Sequence, residues 1–125
     1  MMIQSSKPRE QRKFRYTAPL HIRQKFASAH ISKELAQKLG IKRRSIELRR
    51  GDIVKVMAGG QKGKSGKVNK INLRKGFVYV EGITRKTAKG KEIMVPIRSS
   101  NLYITDLDLS DKYRKDMLDK MKVVK

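Results

Sequence analysis

RGDIVKVMAGGQKGKSGKVNKI, residues 50–71, sets the architecture expected of the whole chain. Its two runs at residues 52–57 and 67–71 mix branched apolar with polar residues, as strands with one packed and one solvated face do. Between them lies a loop that carries four glycines, which allow positive φ and a close approach of the backbone to a ligand. Four lysines lie from Lys62 to Lys70. These features predict a strand-loop-strand unit whose ligand is an anion.

Positive charge dominates the composition. Among 125 residues, 32 lysines and arginines stand against 11 acidic residues, for a formal net charge of +21. This excess opposes compact folding unless a polyanion neutralises it, so nucleic acid is the expected partner and a basic membrane-surface protein is the alternative. Residues 1–50 carry +11, residues 51–105 carry +9 and residues 106–125 carry only +1. Polyanion contacts are therefore expected in the first two segments, and the third is expected to face water or another protein.

Several classes of protein are disfavoured by the sequence. There is no cysteine, which excludes disulfides, thiolate metal sites and cysteine catalysis. No apolar run is long enough for a signal peptide or a membrane span, so no membrane partner is expected. AGGQKGKS, residues 58–65, approximates a P-loop, but a strand follows it where a P-loop requires a helix. Asp106, Asp108 and Asp111 lack the glycine and glutamate of a calcium loop.

His21 and His30 have no cysteine or carboxylate at ligand spacing. No Ser-His-Asp set or carboxylate pair suggests catalysis either. We therefore predict no catalytic residues, no metal, no cofactor and no small-molecule substrate.

A basic extension with two short helices is predicted over residues 1–47. Residues 5–16, SSKPREQRKFRY, cannot bury enough apolar surface to fold alone, so they form either a solvated tail or an arm that orders on RNA. The two helices are predicted at residues 17–26, with a proline in the first turn, and at residues 32–39, between a serine N-cap and a glycine. Both are too short to be stable alone. Residues 41–50, IKRRSIELRR, are expected to form a basic surface patch, and a merely solvated face is the alternative.

The rest of the chain reads as short strands and one helix. Strands are predicted at residues 77–80, 92–97 and 101–105, the second interrupted by Pro96 as at a sheet edge, with a basic loop at 82–90. With the first two strands they make five, without room for helical crossovers. We therefore predict a mostly-β fold, a small antiparallel barrel spanning residues 48–107.

A C-terminal helix is expected within residues 108–125. It begins with Ser110 or Asp111 as its N-cap. Its packing face, directed at the core or at another protein, is predicted to consist of Tyr113, Met117 and Met121 with Leu118 beside them.

The opening stretch resembles a KOW motif, a strand-loop-strand unit of RNA-associated proteins, at Gly51, Val54, Val56, Gly60, Lys62, Gly63, Gly66 and Val68. Three further segments, TAPLHIRQKFASAHISKEL, VYVEGITR and PIRSSNLYITDLDLSD, follow the family order. Nearly the whole chain thus resembles the universal L-twenty-four family of large-subunit ribosomal proteins, in its archaeal and eukaryotic form. The resemblance implies an SH3-like barrel bound to the first domain of large-subunit rRNA, near the nascent-chain tunnel exit, with a role early in assembly. It also implies a cytoplasmic location in the ribosome, neighbouring ribosomal proteins as partners, and no homo-oligomer.

Individual contacts follow from the same resemblance. It assigns rRNA contacts to Lys62, Lys64 and Lys67 of the loop, to Arg23 and Lys25, and to residues 98–101. Family members commonly have histidine where Arg98 stands, and arginine keeps the positive charge but loses neutral-imidazole hydrogen bonding. The full predicted set of RNA-binding residues, which includes the basic segments, is Arg12, Lys13, Arg15, His21, Arg23, Lys25, Lys42, Arg43, Arg44, Lys62, Gly63, Lys64, Gly66, Lys67, Lys70, Arg85, Lys86, Lys89, Arg98, Ser99, Ser100 and Asn101.

Two alternative functions belong to other classes. A transcription-elongation KOW protein that binds RNA polymerase would carry a preceding α/β domain, for which the 50 residues before Gly51 are expected to be too few. A P-loop nucleotide hydrolase would need βαβ units, of which the pattern gives no sign.

Overall fold

Nine strands form one seven-stranded sheet and one two-stranded hairpin in this computed structural model, which describes residues 4–122. The strands are β1 Ser28–Ile31, β2 Ser45–Glu47, β3 Ile53–Val56, β4 Ser65–Asn72, β5 Phe77–Val80, β6 Thr84–Lys86, β7 Glu92–Met94, β8 Ile97–Arg98 and β9 Leu102–Asp106. The helices are α1 Pro8–Thr17, α2 Leu20–Phe26, α3 Lys33–Leu39 and α4 Lys112–Met121, with a 3-10 turn at Ser99–Asn101.

The large sheet has the strand order β2-β1-β9-β3-β4-β5-β8, and β6 pairs with β7 separately. Its pairs are antiparallel except β1 with β9, which run parallel. The result is a small barrel-like sheet that does not close. The predicted mostly-β class with flanking short helices and a C-terminal helix is therefore confirmed, with one parallel pair and an open edge added.

The core is built from the alternate side chains of the strands. Val54 and Val56 of β3, Val78 of β5, and Leu102 and Ile104 of β9 are all fully buried. The predicted strand at residues 77–80 is confirmed, and the predicted strand at 92–97 is divided between β7 and β8 around Val95 and Pro96. The proline lies in the break between them, where no ladder hydrogen bond is lost.

Three strands were not predicted from the sequence: β6 lies within the predicted loop at residues 82–90, and β1 and β2 lie within the basic extension. β1 and β2 pair antiparallel, with Ala29 opposite Ile46, and both side chains are buried. β1 then pairs with β9, with Ile31 beside Ile104. The extension therefore contributes two strands to the main sheet. They were missed because each is only three or four residues long and pairs with distant segments.

The N-terminal arm differs from the expectation. Residues 5–16 were predicted to lack structure of their own, yet most of them belong to α1, whose first residue is Pro8, a favoured position for proline. α1 itself buries no residue. Its contact with the rest of the chain includes Phe14, whose ring meets that of Phe26 edge-on at a centroid distance of 6.1 Å. The expected lack of buried apolar surface agrees with the structure, but helix-forming residues and contacts of Phe14, Arg15 and Tyr16 with α2 give the segment a helical structure that was not predicted.

α2 begins at Leu20, after its predicted start at residue 17, with Pro19 as its N-cap, whereas α3 and α4 begin and end close to their predicted limits. Ser32 caps α3 by accepting a hydrogen bond from the backbone N–H of Leu35, and Gly40 ends it at φ 67°. Asp111 caps α4 through the N–H of Tyr113. The capping signals in the sequence were therefore correct.

The predicted packing face of α4 is confirmed at Leu118 and Met121 and is wrong at Tyr113, and Arg114 was not predicted to belong to it. Tyr113 is 82% exposed, whereas Arg114 and Leu118 are buried, and Met121 packs partly against the core. Arg114 and Leu118 lie one turn apart and define the face that meets the sheet. A solvated arginine was the natural expectation from sequence, because arginine is seldom fully buried unless it is paired.

Arg114 is buried because it forms an ion pair with Asp52, which is 0% exposed. Its guanidinium donates to both carboxylate oxygens of Asp52, and also to the backbone carbonyls of Asp108 and Glu47 at 3.1 Å each. Asp52 also accepts hydrogen bonds from the backbone N–H groups of Arg49 at 2.9 Å and Asp108 at 3.0 Å. We call this cluster the Asp52–Arg114 corner. It fixes α4 to the start of β3.

Candidate nucleic-acid interface

The KOW loop between β3 and β4 is held in one shape by its own backbone. The N–H of Gly63 donates to the carbonyl of Val56 at 2.9 Å, and the N–H of Val56 donates to the carbonyl of Lys64 at 2.8 Å. Gly63 has φ +91°, a conformation that favours glycine, and no atom lies within 4 Å of the position a Cβ would take. Lys62 and Lys64 are exposed. The backbone of the loop is therefore ordered, and the loop carries two exposed lysines.

Gly66 has a different reason to be glycine. A Cβ there would lie 2.5 Å from the carbonyl oxygen of Glu81 and 2.8 Å from Cγ1 of Val80. Close packing of β4 on the end of β5 therefore requires glycine at this position, independently of any ligand. The predicted RNA contact of Gly66 stays a prediction.

A cleft lies between α1, the β4–β5 turn and the end of β8, and we call it the α1 cleft. Its volume is about 340 Å³, and its lining residues are Arg15, Phe26, Leu73, Arg74, Lys75, Gly76, Arg98, Ser99 and Ser100. Four of these are cations, and none is a carboxylate. Arg15, Arg98 and the two serines belong to the predicted set, whereas Arg74 and Lys75 were missed. Two adjacent cations beside a glycine, Arg74-Lys75-Gly76, were a usable signal in the sequence.

Aromatic rings position the arginines of the α1 cleft. The guanidinium carbon of Arg98 lies 5.3 Å from the ring centroid of Phe77, and that of Arg15 lies 5.6 Å from the ring centroid of Phe26. These distances are typical of cation–π contacts. The hydroxyl of Ser99 donates to the backbone carbonyl of Phe26 at 3.3 Å, which joins the 3-10 turn to α2. The cleft is thus assembled before any ligand arrives.

Arg98 also borders the KOW loop. It lines a second cleft of about 180 Å³ together with Gly59, Gly60, Gln61 and Asn101, among others. The N–H of Met57 donates to the carbonyl of Asn101 at 2.8 Å, which ties the loop to the 3-10 turn. The predicted loop and the predicted segment 98–101 are therefore adjacent on one surface.

Another basic cleft lies beside β1, with a volume of about 290 Å³, and we call it the β1 cleft. It is lined by His30, Ile31, Lys33, Ala36, Ile41, Lys42, Arg43, Arg44 and Tyr103. The ring of His30 meets that of Tyr103 at 6.1 Å, centroid to centroid. The structure brings the predicted residues 42–44 next to Lys33 and Tyr103, which were not predicted. Tyr103 lies there only because β1 pairs with β9.

The remaining predicted residues are spread over the surface. The exposed ones are Arg12 and Lys13 on α1, His21 and Lys25 on α2, Lys67 and Lys70 on β4, and Arg85, Lys86 and Lys89 on the β6–β7 hairpin. Arg23 is half-buried and donates to the backbone carbonyl of Tyr16, which links α1 to α2. Ser99 is buried. The structure therefore gives Arg23 and Ser99 internal contacts, and their RNA contacts stay predictions.

The acidic residues are concentrated around α4. Within residues 4–122 the ion pairs are Arg49 with Asp111, Arg114 with Asp52, and Lys122 with Asp119, and none involves a predicted RNA-binding residue. The backbone N–H of Ser110 holds the pKa of Asp108 below its usual value, and Lys122 does the same for the pKa of Asp119. The cations of the clefts therefore face solvent without a carboxylate partner in the described part of the chain.

Other kinds of site find no support in the described range. Residues 4–122 contain no group of three or more histidine, aspartate or glutamate side chains placed to hold a metal ion. Nor does this range include a helix with the length and apolar character needed to cross a membrane.

Comparison with known proteins identifies the family. Residues 5–121 match the family model that describes the eukaryotic L26 and archaeal L24-type ribosomal proteins. The chain is 47% identical over 118 residues to the large ribosomal subunit protein uL24 of Pyrobaculum islandicum, covering 94% of each chain. It is 48% identical over 118 residues to the protein of the same name from Saccharolobus solfataricus, covering 94% of this chain and 98% of that one. The chain therefore belongs to the ribosomal protein family that comprises eukaryotic L26 and its archaeal L24-type counterparts.

Proposed function

We propose that the chain is a structural component of the large ribosomal subunit that holds rRNA against its basic clefts. Membership in a ribosomal protein family confirms the predicted resemblance, and it makes the chain a structural protein of the cytoplasmic ribosome rather than an enzyme. The two relatives compared above are named as large-subunit proteins, which supports the choice of subunit.

One observation carries the rRNA-binding part of the proposal. The cations of the α1 cleft and of the β1 cleft lack a carboxylate partner among the described residues, whereas the ion pairs of the same range are concentrated around the C-terminal segment. A net charge of +21 on 125 residues leaves a large repulsion for an external polyanion to relieve. The phosphates of rRNA supply the negative charge that these clefts lack.

The mechanism requires no turnover. Lysine and arginine replace condensed counterions on the RNA, so binding weakens as salt is added, with a log–log slope of about −7 to −9 for ten phosphate contacts. Backbone and side-chain contacts then fix the relative positions of RNA segments. We further propose the location implied by the family resemblance: the first domain of the rRNA, near the nascent-chain tunnel exit, with neighbouring ribosomal proteins and a role early in assembly.

Sedimentation of a cell extract through a sucrose gradient tests the proposal. The chain is expected to travel with the large subunit at low salt and to be released steeply as the salt concentration rises, because many phosphate contacts act together. Migration with RNA polymerase would instead support the transcription-elongation alternative. Recovery at the top of the gradient as a free monomer would contradict both.

A further inference from the structure

We propose that the α1 cleft binds an unpaired segment of RNA, with phosphates on its four cations and a base stacked on the guanidinium of Arg98. This inference rests on the proposed function and deepens it by naming the form of RNA that this cleft accepts. It concerns the cleft alone and not the KOW loop or the β1 cleft.

The charge of the cleft requires an anion of several charges. Arg15 comes from α1, Arg74 and Lys75 from the β4–β5 turn, and Arg98 from β8, so the fold brings four cations from three elements around about 340 Å³. No carboxylate lines this space. Such a cluster is unfavourable on its own and becomes favourable when a polyanion enters. A phosphate chain supplies successive charges along such a cleft.

The aromatic contacts point to a ligand with flat rings. The guanidinium carbon of Arg98 lies over the ring of Phe77, at 5.3 Å from its centroid, and the same exposed side chain lines the cleft. An exposed planar guanidinium that is positioned by a ring can stack with a base. Phe26 and Leu73 add apolar surface to the wall. An acidic peptide or a free phosphate would leave this stacking surface unused.

The shape of the cleft favours an unpaired strand over a double helix. Double-stranded RNA is recognised mostly through its wide, shallow minor groove and its outer phosphates, which do not enter a narrow concavity. Bases of loops and single strands can be separated and stacked individually on side chains. A space of about 340 Å³ lies at the small end of ligand pockets and suits a single nucleotide with its adjoining phosphates.

Fluorescence anisotropy tests this inference by measuring the affinity of the full chain for short oligouridine and for an RNA duplex of equal length. Arg98→Gln is expected to weaken oligouridine binding by about tenfold, because it removes both a charge and a stacking surface. Arg98→Lys keeps the charge and loses the planar group, so it is expected to weaken oligouridine binding by about fivefold and duplex binding hardly at all.

Two further variants separate stacking from other effects. Phe77→Leu is expected to weaken oligouridine binding in the wild-type background and to have no further effect when Arg98 is already glutamine, because its role is to position Arg98. Lys115→Gln, an exposed change on α4, is the control for lost charge and is expected to leave both affinities nearly unchanged. Thermal unfolding of each variant checks that Arg98, which is exposed, is not needed for the fold.

Failure of this inference can be distinguished from failure of the proposed function. Wild-type affinity for oligouridine in Arg98→Lys, or equal losses on single-stranded and duplex RNA in Arg98→Gln, would overturn the assignment of an unpaired segment. If the wild-type chain still travels with large subunits in that case, the proposed function stands without this inference. If the wild-type chain binds neither RNA nor large subunits, the proposed function itself fails.

Discussion

Arg114 and Arg98 show two opposite uses of the same side chain. Arg114 is 1% exposed and is surrounded by Asp52 and backbone carbonyls in the Asp52–Arg114 corner. Arg98 is exposed, lies over Phe77, and lines the α1 cleft, where no carboxylate is present. In the corner, Asp52 neutralises the charge of Arg114. In the cleft, Arg98 has no carboxylate beside it, so its charge is available to a bound anion.

The difference separates residues that hold the fold from residues that bind. A buried arginine must be paired and hydrogen-bonded, because the cost of removing it from water is several kcal/mol. An exposed arginine has no such requirement, and a ring contact fixes its direction without neutralising it. We therefore expect substitutions at the corner to change the free energy of unfolding, and substitutions at the cleft to change RNA affinity.

The largest effect on stability is expected from Arg114→Met. This change leaves the carboxylate of Asp52 buried without its cation, at a cost of about 3–5 kcal/mol. Urea unfolding measures the loss. The double variant Asp52→Asn with Arg114→Met is expected to lose less than Arg114→Met alone, because no unpaired charge remains. A loss below about 1 kcal/mol in the single variant would show that the corner does not stabilise the fold.

The next largest effect on the free energy of unfolding is expected at Gly66, a half-buried glycine of β4. Gly66→Ala places a Cβ 2.5 Å from the carbonyl oxygen of Glu81, and the resulting overpacking is expected to cost about 1–3 kcal/mol in urea unfolding. Gly60→Ala is the matched control, since φ is not positive there and nothing lies within 4 Å of the new Cβ. Equal stability of the two variants would show that the β4–β5 contact can relax.

A smaller effect on stability is expected from the titration of Asp108, whose backbone belongs to the Asp52–Arg114 corner. The pKa of Asp108 is below its usual value when the chain is folded, because it accepts a hydrogen bond from the N–H of Ser110. The contribution of the ionised Asp108 carboxylate to the free energy of unfolding is therefore present above the unfolded-state pKa. It is lost as pH falls through the lower folded-state pKa. The stability gap between wild type and Asp108→Asn should shrink as pH falls below about 4. A gap that is constant with pH would contradict this assignment.

The smallest effect on stability is expected from Arg98→Gln. Because Arg98 is exposed and has no ion-pair partner among the described residues, the free energy of unfolding should change by less than about 0.5 kcal/mol. The log–log salt slope of binding to single-stranded RNA should nevertheless become shallower by about 0.7, because one phosphate contact is lost. If Arg98→Gln lowered the free energy of unfolding and left the salt slope unchanged, Arg98 would stabilise the fold, as Arg114 does, instead of binding RNA.

Local signals were enough to predict much of the fold. The strand at residues 77–80, the Ser32 and Asp111 caps and the helix end at Gly40 depend on residues within a few positions of each other. The same applies to the KOW unit, whose glycines and lysines are adjacent in sequence. Each of these features was predicted, with shifts of one to three residues at most boundaries.

Features built by distant pairing could not be predicted. β1 is identifiable only through its partners β2 and β9, and Asp52 meets Arg114 across 62 positions. Charge alone could not show that Arg114 is buried while Arg98 is exposed. The α1 cleft combines three segments whose separate basic residues gave no sign that they converge. The sequence thus predicted a basic RNA-binding surface, whereas the shape of each cleft required the fold.

Ultraviolet cross-linking of large subunits that contain the chain, followed by mass spectrometry of the peptide–RNA adducts, tests the contrast between corner and cleft most directly. We predict adducts on peptides that carry Phe26 or residues 74–77 and 98–100 of the α1 cleft, and none on residues 112–121 of α4. Adducts confined to α4, with the cleft peptides unmodified, would contradict the account.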